Sequence, residues 1–299
     1  MFSRILLLIC GVFACSTAVI FIKFSHEHPV LLSAYRLFVA VIVLAPLYAL
    51  DCRKHRGAYT PGHLKASVVP GILLGIHFIT WILGARMTTA VNASLIVNLM
   101  PIAMPFFLYF GVGEKLNGRE LSGTLLALGG LILLGVCDFN ASMEYFWGDV
   151  WCFVSMLFFT AYMAMGRRNK HFPSVWLYVV PLYLVAGAFC FVAGVFSTPI
   201  VKPYSWSEVL LILALGVVPT ILGHSLLNQA MRHLRGQVVS IINMGQFIFA
   251  GFMALLCFNE VPLWSFYASS VLLVVGGWLA ITGGASHGSA AKVCDPIPE

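Results

Sequence analysis

The sequence predicts an all-α membrane protein with ten transmembrane helices. Hydrophobic residues make up 60% of its 299 residues and charged residues only 9%, against roughly 45–50% and 25% in soluble domains. The apolar residues form ten segments, each near the length of about 20 residues that crosses a bilayer core of roughly 30 Å. A soluble fold is excluded, and so is a disordered chain, which would be poor in hydrophobic and aromatic residues.

Short connections, most of them carrying basic residues, separate the ten predicted spans. The first five, at about 5–24, 30–50, 67–84, 89–112 and 120–137, form a unit over residues 1–140. The second five, at about 148–166, 175–196, 208–228, 236–257 and 263–282, form a unit over residues 141–284, and residues 285–299 are expected to be a cytoplasmic tail. The longest connections, Asp51–Ala66 and Asp138–Trp147, leave no room for a soluble catalytic or nucleotide-binding domain.

The distribution of Lys and Arg predicts that both termini are cytoplasmic, because these residues accumulate in cytoplasmic loops. With the N-terminus inside, 13 of the 17 basic residues lie on the cytoplasmic side, and the external loops keep only Arg86 and Lys202. The net charge of +6 is then explained by loops that face anionic lipid. We therefore expect no nucleic-acid partner.

The two halves of the chain resemble each other in the same order. His77 matches His224 at an offset of 147 residues, and Ser94 matches Ser240 at an offset of 146. Because each half has an odd number of predicted spans, the second half enters the membrane from the opposite side. Inverted repeats of this kind place the substrate of many secondary transporters between the halves, near the middle of the bilayer.

An ordered set of short motifs runs through both halves. It comprises Lys23, Pro29, Arg36, Gly75–Trp81, Thr88–Ala90, Pro101, Gly113-Glu114, Gly148–Val150, Tyr162, Arg167-Arg168, Gly223–Asn228, Val238–Ser240 and Asn259–Pro262. With this set the chain resembles the EamA-type family of ten-span carriers in the drug/metabolite transporter superfamily. It departs from that pattern at Gly245-Gln246-Phe247, where many relatives carry Gly-Glu-Pro, so a carboxylate for proton or cation coupling is missing there.

The resemblance implies a secondary transporter of the cell membrane, in a bacterium the inner membrane, that exports amino acids or related small organic solutes by alternating access. Spans one to four and six to nine would enclose a central cavity, with spans five and ten supporting it. The expected partners are a small-molecule substrate, the lipid bilayer and a coupling proton or cation. We expect no catalytic residues, no metal ion and no cofactor.

Other function classes lack the motifs that they need. A membrane-embedded enzyme would need paired acids or a metal-binding HExxH constellation, and no Asp or Glu lies deep in a predicted span. A channel would favour rings of charge or a carbonyl filter, and a primary pump would need a P-loop. A channel, a membrane-embedded enzyme, an importer and a multidrug exporter are the alternatives.

Arg36 is the most informative charge inside a predicted span. It lies seven residues beyond Pro29, which at 1.5 Å per residue is about 10 Å below the outer surface. Charged side chains at membrane depth are costly and mark functional sites. Arg36 could snorkel to the interface or pair with Glu27 or Asp149. Alternatively, it anchors a substrate carboxylate, which a guanidinium binds through two parallel hydrogen bonds.

Two histidines are the next candidates. His77 and Trp81 are four residues apart and share a face of the third span, and His224 and Asn228 repeat this spacing in the eighth. Both histidines are expected near the middle of the bilayer. They could form a structural pair with neighbouring helices, or line the cavity, where an imidazole could also carry a proton.

The fourth and ninth spans each carry a polar stripe, formed by Ser94 and Asn98 in one and by Ser240, Asn243 and Gln246 in the other. Hydrogen bonds between helices and contact with the substrate are equally compatible with these stripes. Pro101, Pro105 and Pro219 lack backbone donors, so they free carbonyls that could face the cavity.

Two glycine pairs and two loop acids are the remaining candidates. Gly129-Gly130 and Gly276-Gly277 allow close helix approach in spans five and ten; packing within one chain is the favoured interpretation, and a homodimer interface the alternative. Glu114 and Glu260 are expected to fix turns, or to lie near the start of the next helix, where negative charge is favourable.

Overall fold

The computed structural model describes residues 2–137, 143–200, 202–259 and 261–290, and their regular structure is helical. The long helices are α1 Phe2–Phe24, α2 Pro29–Lys54, α3 Pro61–Met87, α4 Ala90–Val112, α5 Gly118–Cys137, α6 Met143–Arg168, α7 Val175–Val195, α8 Trp206–His233, α9 Gly236–Phe258 and α10 Trp264–Ala290. Each coincides with one predicted span, and most extend a few residues further.

The helices have the length and surface of a protein embedded in lipid. Among the described residues, nine helices are long and apolar enough to cross a membrane. Helix α5 is not one of those nine, so the count of ten spans stays a prediction. Large apolar side chains such as Phe110 (83% exposed) and Leu256 (82% exposed) face outward, which a soluble monomer avoids over large areas.

The last helix extends into the segment that the sequence predicts to be a cytoplasmic tail. Helix α10 continues to Ala290, past the residue at which the cytoplasmic tail was expected to begin. Residues 291–299 lie outside the described residues, as do Asp138 and Glu260.

The helices of the two halves pack in corresponding pairs. Helix α2 contacts α7, α4 contacts α9, and α5 contacts α10, while α1 packs on α8 as α6 packs on α3. This pattern is the one expected of a two-fold relation between the halves, in which each contact between helices i and j recurs between their counterparts. Helices α4 and α9 also both end at a left-handed residue, Gly113 (φ 69°) and Asn259 (φ 54°).

Three helices lose regular α-geometry at membrane depth. Helix α4 is interrupted at Asn98-Leu99, and α9 at Met244-Gly245, so that each consists of two shorter helices. Helix α8 contains a π-helical segment, Gly216–His224, with Pro219 inside it. π-Helical segments are frequent at functional sites, and broken helices form the ion and substrate sites of many transporters.

Glycines allow several of these pairs to approach closely. A Cβ added at Gly276 would lie 2.6 Å from the carbonyl oxygen of Gly123 in α5, whereas one added at Gly277 would meet nothing within 4 Å. Gly130 likewise faces α10, with the carbonyl oxygen of Ser269 at 3.0 Å, and Gly129 faces open space. One glycine of each predicted pair therefore packs within the chain.

An ionic cluster closes one end of the bundle; we call it the Glu27 cluster (Ser25, Glu27, Arg86, Lys202 and Glu208). Lys202 Nζ lies 2.5 Å from a Glu27 oxygen, and Glu208 accepts hydrogen bonds from the Ser25 hydroxyl and the His26 amide. Burial by itself would raise the pKa of Glu27, but hydrogen bonds from Lys202, Tyr204 and the His28 amide outweigh it and hold that pKa below its usual range.

A second cluster closes the opposite end; we call it the Glu114 cluster (Glu114, Glu120, Arg167 and Arg235). Glu114 accepts from Arg167 Nε at 2.9 Å and from the amide of Gly236 at 3.0 Å, and Arg235 binds both oxygens of Glu120. Glu114 follows the left-handed turn at Gly113, and its carboxylate joins the α4–α5 connection to α6 and to the start of α9. The turn and the proximity to a helix start were expected, but the helix is α9 and not the next one, α5.

The glycine contact between α5 and α10 makes a prediction with a matched control one residue away. The added methyl group of Gly276→Ala would push α10 away from the Gly123 carbonyl of α5. This substitution should lower the free energy of unfolding by about 1–3 kcal/mol. Gly277→Ala should leave stability unchanged or raise it by up to about 1 kcal/mol, because alanine is the better helix former. Thermal unfolding of the two detergent-purified variants checks this; equal effects of both substitutions would contradict the packing described.

The lowered pKa of Glu27 predicts a pH-dependent contribution to stability. Because this pKa is lower in the folded than in the unfolded chain, the stabilisation is complete above the unfolded value, about 4.3 for Glu, and is lost as the pH falls through the folded value. Wild type should therefore exceed Glu27→Gln in melting temperature at neutral pH, with the difference shrinking below about pH 4.3. A constant difference across this range would oppose the assignment.

Candidate functional site

Helices α1, α2, α3, α4, α6, α8 and α9 surround a small central void of about 20 Å³. It is lined by Cys15, Ala18, Arg36, His77, Phe78, Trp81, Val97, Phe159, His224 and Gln246. Five of the ten predicted site residues are in this set: Arg36, His77, Trp81, His224 and Gln246. The void has room for about one water molecule, so the helices are closely packed at the centre.

Arg36 is completely buried (0% exposed). Its Nε donates to Thr220 Oγ1 at 2.9 Å, and its guanidinium carbon lies 4.0 Å from the centre of the Phe78 ring. The two terminal nitrogens, Nη1 and Nη2, have no hydrogen-bond partner in the described part of the chain. Snorkelling is therefore wrong, and so is a pair with Glu27 or Asp149, since Glu27 binds Lys202 instead.

The π-helical segment of α8 supplies the one hydrogen-bond partner that Arg36 has among the described residues. Pro219 has no N–H to donate to the carbonyl of Leu215 four residues earlier. The Thr220 hydroxyl donates to that carbonyl at 2.7 Å, and its oxygen is thereby oriented to accept from Arg36. Pro219 thus frees a carbonyl, as expected, but a side chain satisfies it and it does not face the void.

The two histidines lie side by side, with ring centroids 5.9 Å apart. His77 Nδ1 lies 2.7 Å from the Ser155 hydroxyl, and His224 Nδ1 lies 2.6 Å from the Tyr162 hydroxyl. Each histidine therefore has a hydroxyl partner on α6 and also lines the void. The two interpretations left open by the sequence are both compatible with this arrangement.

Asn228 lies behind His224 and does not line the void. Its Nδ2 donates to the His224 carbonyl at 2.8 Å and lies 3.5 Å from the Tyr162 hydroxyl, while its Oδ1 has no partner among the described residues. Trp81 and Asn228 each lie four residues after one of the two histidines, but of the two only Trp81 lines the void.

A chain of amides joins the breaks in α4 and α9. Asn98 Oδ1 accepts from Asn243 Nδ2 at 2.8 Å, and Asn243 Oδ1 accepts from Gln246 Nε2 at 2.7 Å. Asn98 Nδ2 donates to the Ser94 carbonyl at 2.6 Å. Only Gln246 lines the void, so the amide chain mainly links the two helices.

Neither candidate serine lines the void, and the carbonyl that a proline frees in α4 is bound by another side chain. The Ser240 hydroxyl donates to the Gln237 carbonyl at 2.8 Å, and Ser94 contributes its carbonyl to Asn98. Pro105 has no N–H for the carbonyl of Pro101, which instead accepts from Gln237 Nε2 at 3.2 Å. That freed carbonyl also does not face the void.

Helix α6 contributes residues that were not on the predicted list. Ser155, Phe159 and Tyr162 follow each other at spacings of four and three residues, so they lie on one helix face. Ser155 and Tyr162 bind the two histidines, and the Phe159 ring stacks on His77 with centroids 4.7 Å apart. The signal available in the sequence was a pair of hydroxyl residues, Ser155 and Tyr162, seven residues apart on one face of an apolar helix.

The bond between Thr220 and Arg36 predicts the effect of removing one hydroxyl. Thr220→Val keeps the shape of the side chain but leaves a buried charged donor without an acceptor, and should cost about 1.5–3 kcal/mol of stability. Thr220→Ser retains the hydroxyl and should cost much less. Chemical unfolding in detergent measures both variants, and a valine variant as stable as the serine variant would show that this bond contributes nothing.

Comparisons with known proteins agree with this architecture. The model of the EamA-like transporter family matches residues 2–136 and again residues 146–282. A solved crystal structure has the same fold, with a TM-score of 0.73 at 18% identity over 95% of this chain and 98% of that chain.

Curated relatives are similar at lower coverage. Solute carrier family 35 member G1 of Mus musculus is 22% identical over 89% of this chain and 75% of its own length. The aromatic amino acid exporter YddG of Ancylobacter novellus is 28% identical over 50% of this chain and 52% of its own, and the uncharacterized transporter YoaV of Bacillus subtilis is 25% identical over 43% and 44%. Because the family model matches both halves, the chain belongs to the EamA-like transporter family, and it is a multi-pass membrane transporter of small molecules and not an enzyme.

Proposed function

We propose that this protein is a secondary transporter that exports amino acids or related small organic solutes by alternating access, with the solute carboxylate bound by Arg36. The observation that carries the proposal is the completely buried guanidinium with two terminal nitrogens that lack partners. An unpaired charge at membrane depth is costly, and a bound carboxylate would compensate it through two charge-assisted hydrogen bonds.

An inverted relation between residues 1–140 and 141–284 supports alternating access. The same family model matches each half, and the helices pair as a two-fold relation requires. The repeat-related histidines also meet at the centre. A site on such an axis can be opened to either side by equivalent movements of the two halves.

The two ionic clusters are the proposed gates. The void of about 20 Å³ is too small for an organic solute, so transport requires helices to separate at one end at a time. The Glu114 cluster contains Arg167 and Arg235, which the distribution of basic residues assigns to the cytoplasmic side. Its opening would admit solute from the cytoplasm, and opening of the Glu27 cluster would release it outside.

The proposal includes a coupling proton or cation, and the two imidazoles of His77 and His224 are the candidate proton carriers because both line the void. Gln246 stands where a family carboxylate was expected and donates to Asn243, so an acid is not supplied from that position.

Import, multidrug export and a homodimer are the alternatives. Measurements of the transport direction, the substrate range and the molecular mass distinguish them. The export direction is supported by the name of one bacterial relative, an aromatic amino acid exporter, and two bacterial relatives favour the bacterial cell membrane.

Substitution of the histidines tests the site. His77→Ala and His224→Ala should each abolish most of the uptake of radiolabelled amino acids or organic acids into inside-out membrane vesicles, at normal protein levels. Phe110→Leu, which changes an outward-facing side chain, is the control and should transport like wild type. Full activity of both histidine variants would remove the pair from the mechanism.

A further inference from the structure

The charges around the central void distinguish between classes of solute. Resting on the function proposed above, we infer that the site is built for aromatic monocarboxylates that carry no ammonium group, and that it disfavours zwitterionic amino acids. The juxtaposition that leads to this inference is a buried, half-satisfied guanidinium enclosed by aromatic rings, while the acidic side chains that the structure describes lie away from the centre.

The first step is the geometry of the guanidinium. Its Nε is occupied by Thr220 Oγ1, and one face of the group lies over the Phe78 ring at 4.0 Å. The nitrogens left for a ligand are Nη1 and Nη2, the end of the fork. Two oxygens of one carboxylate fit this end in a parallel, bidentate arrangement.

The second step is the net charge of the site. Arg36 is the one formally charged residue among those that line the void. A monocarboxylate brings the sum to zero, whereas a zwitterion leaves it at one positive charge with an additional ammonium to desolvate. In a low-dielectric environment uncompensated charge dominates the energetics.

The third step is the position of the acids that could bind an ammonium group. Of the carboxylates that the structure describes, Glu27 and Glu208 belong to one end cluster and Glu114 and Glu120 to the other. Asp51 lies near the end of α2, and Asp149 near the start of α6. None of these residues lines the void, so no carboxylate among them is placed to bind an amine at the centre.

The fourth step is the shape of the walls. Phe78, Trp81 and Phe159 line the void together with the two imidazole rings, and the Phe159 ring is nearly parallel to His77, with an interplanar angle of 17°. Flat walls of this kind favour a flat apolar body, since aromatic rings gain from stacked or edge contacts beyond the burial of their area. The carboxylate would be held at Arg36 and the ring between these walls.

Matched ligands test the inference on the wild-type protein. The probes are 3-phenylpropanoate, phenylalanine, which adds only an ammonium group, and phenethylamine, which lacks the carboxylate. The full chain is purified in detergent, and binding is followed by thermal stabilisation over a range of ligand concentrations. We expect 3-phenylpropanoate to bind at least about tenfold more tightly than phenylalanine, and phenethylamine to give no shift.

Variants of Arg36 show whether the carboxylate binds there. Arg36→Gln should abolish stabilisation by 3-phenylpropanoate. Arg36→Lys keeps the charge but not the fork, and should weaken binding while preserving the order of the ligands, which keeps the test valid if the glutamine variant does not fold. Trp278→Phe on the lipid-facing side of α10 is the matched control and should bind like wild type.

The outcomes separate this inference from the proposed function. Phenylalanine binding as tightly as 3-phenylpropanoate, or more tightly, would overturn the inference while a transporter of amino acids would stand. No binding of any of the three probes would overturn the inference as well. If transport of a wider panel of amino acids and organic acids were also absent in vesicles, the proposed function would fail with it.

Discussion

The burial of one guanidinium at the centre of the helix bundle is the constraint on which the arrangement of the site depends. A charge at membrane depth needs compensation, and the protein supplies it only in part, through one hydroxyl and one aromatic face. The hydroxyl is available because Pro219 and the π-helical segment leave the carbonyl of Leu215 to be bound by Thr220. Gly216 lets α8 approach, since a Cβ there would lie 3.0 Å from the carbonyl oxygen of Arg36 itself.

The rest of the centre follows from the meeting of equivalent elements of the two halves. Asn98 and Asn243 bind each other where α4 and α9 are both interrupted, and Asn98 also donates to the Ser94 carbonyl beside the break in α4. The histidines meet in the same way, each fixed by a hydroxyl of α6. Because hydrogen bonds between membrane helices are individually modest, about 0.6 kcal/mol on average, such contacts can exchange during a conformational change.

The helices were predictable from the sequence because lipid imposes a length and a composition on every segment that crosses it. The central positions of His77, Trp81 and His224 followed from their spacing on the helices and the correspondence of the halves, whereas the complete burial of Arg36 did not. The partners were not predictable. Whether Arg36 would pair with Glu27, reach the interface or bind Thr220 depends on how α2 is rotated against α8, and the sequence periodicity of nearly uniformly apolar helices leaves that rotation undetermined. For the same reason, the sequence did not indicate Ser155 and Tyr162 as site residues. It also did not show that Asn228, Ser94 and Ser240 lie outside the void.

The most direct measurement of the central claim is a structure determined with bound 3-(4-bromophenyl)propanoate, in which anomalous scattering locates the bromine atom. The account predicts carboxylate oxygens at hydrogen-bond distance, about 2.7–2.9 Å, from Nη1 and Nη2 of Arg36, and the bromine atom among Phe78, Trp81 and Phe159. A ligand bound elsewhere, with both terminal nitrogens of Arg36 still unpartnered at the centre, would contradict it.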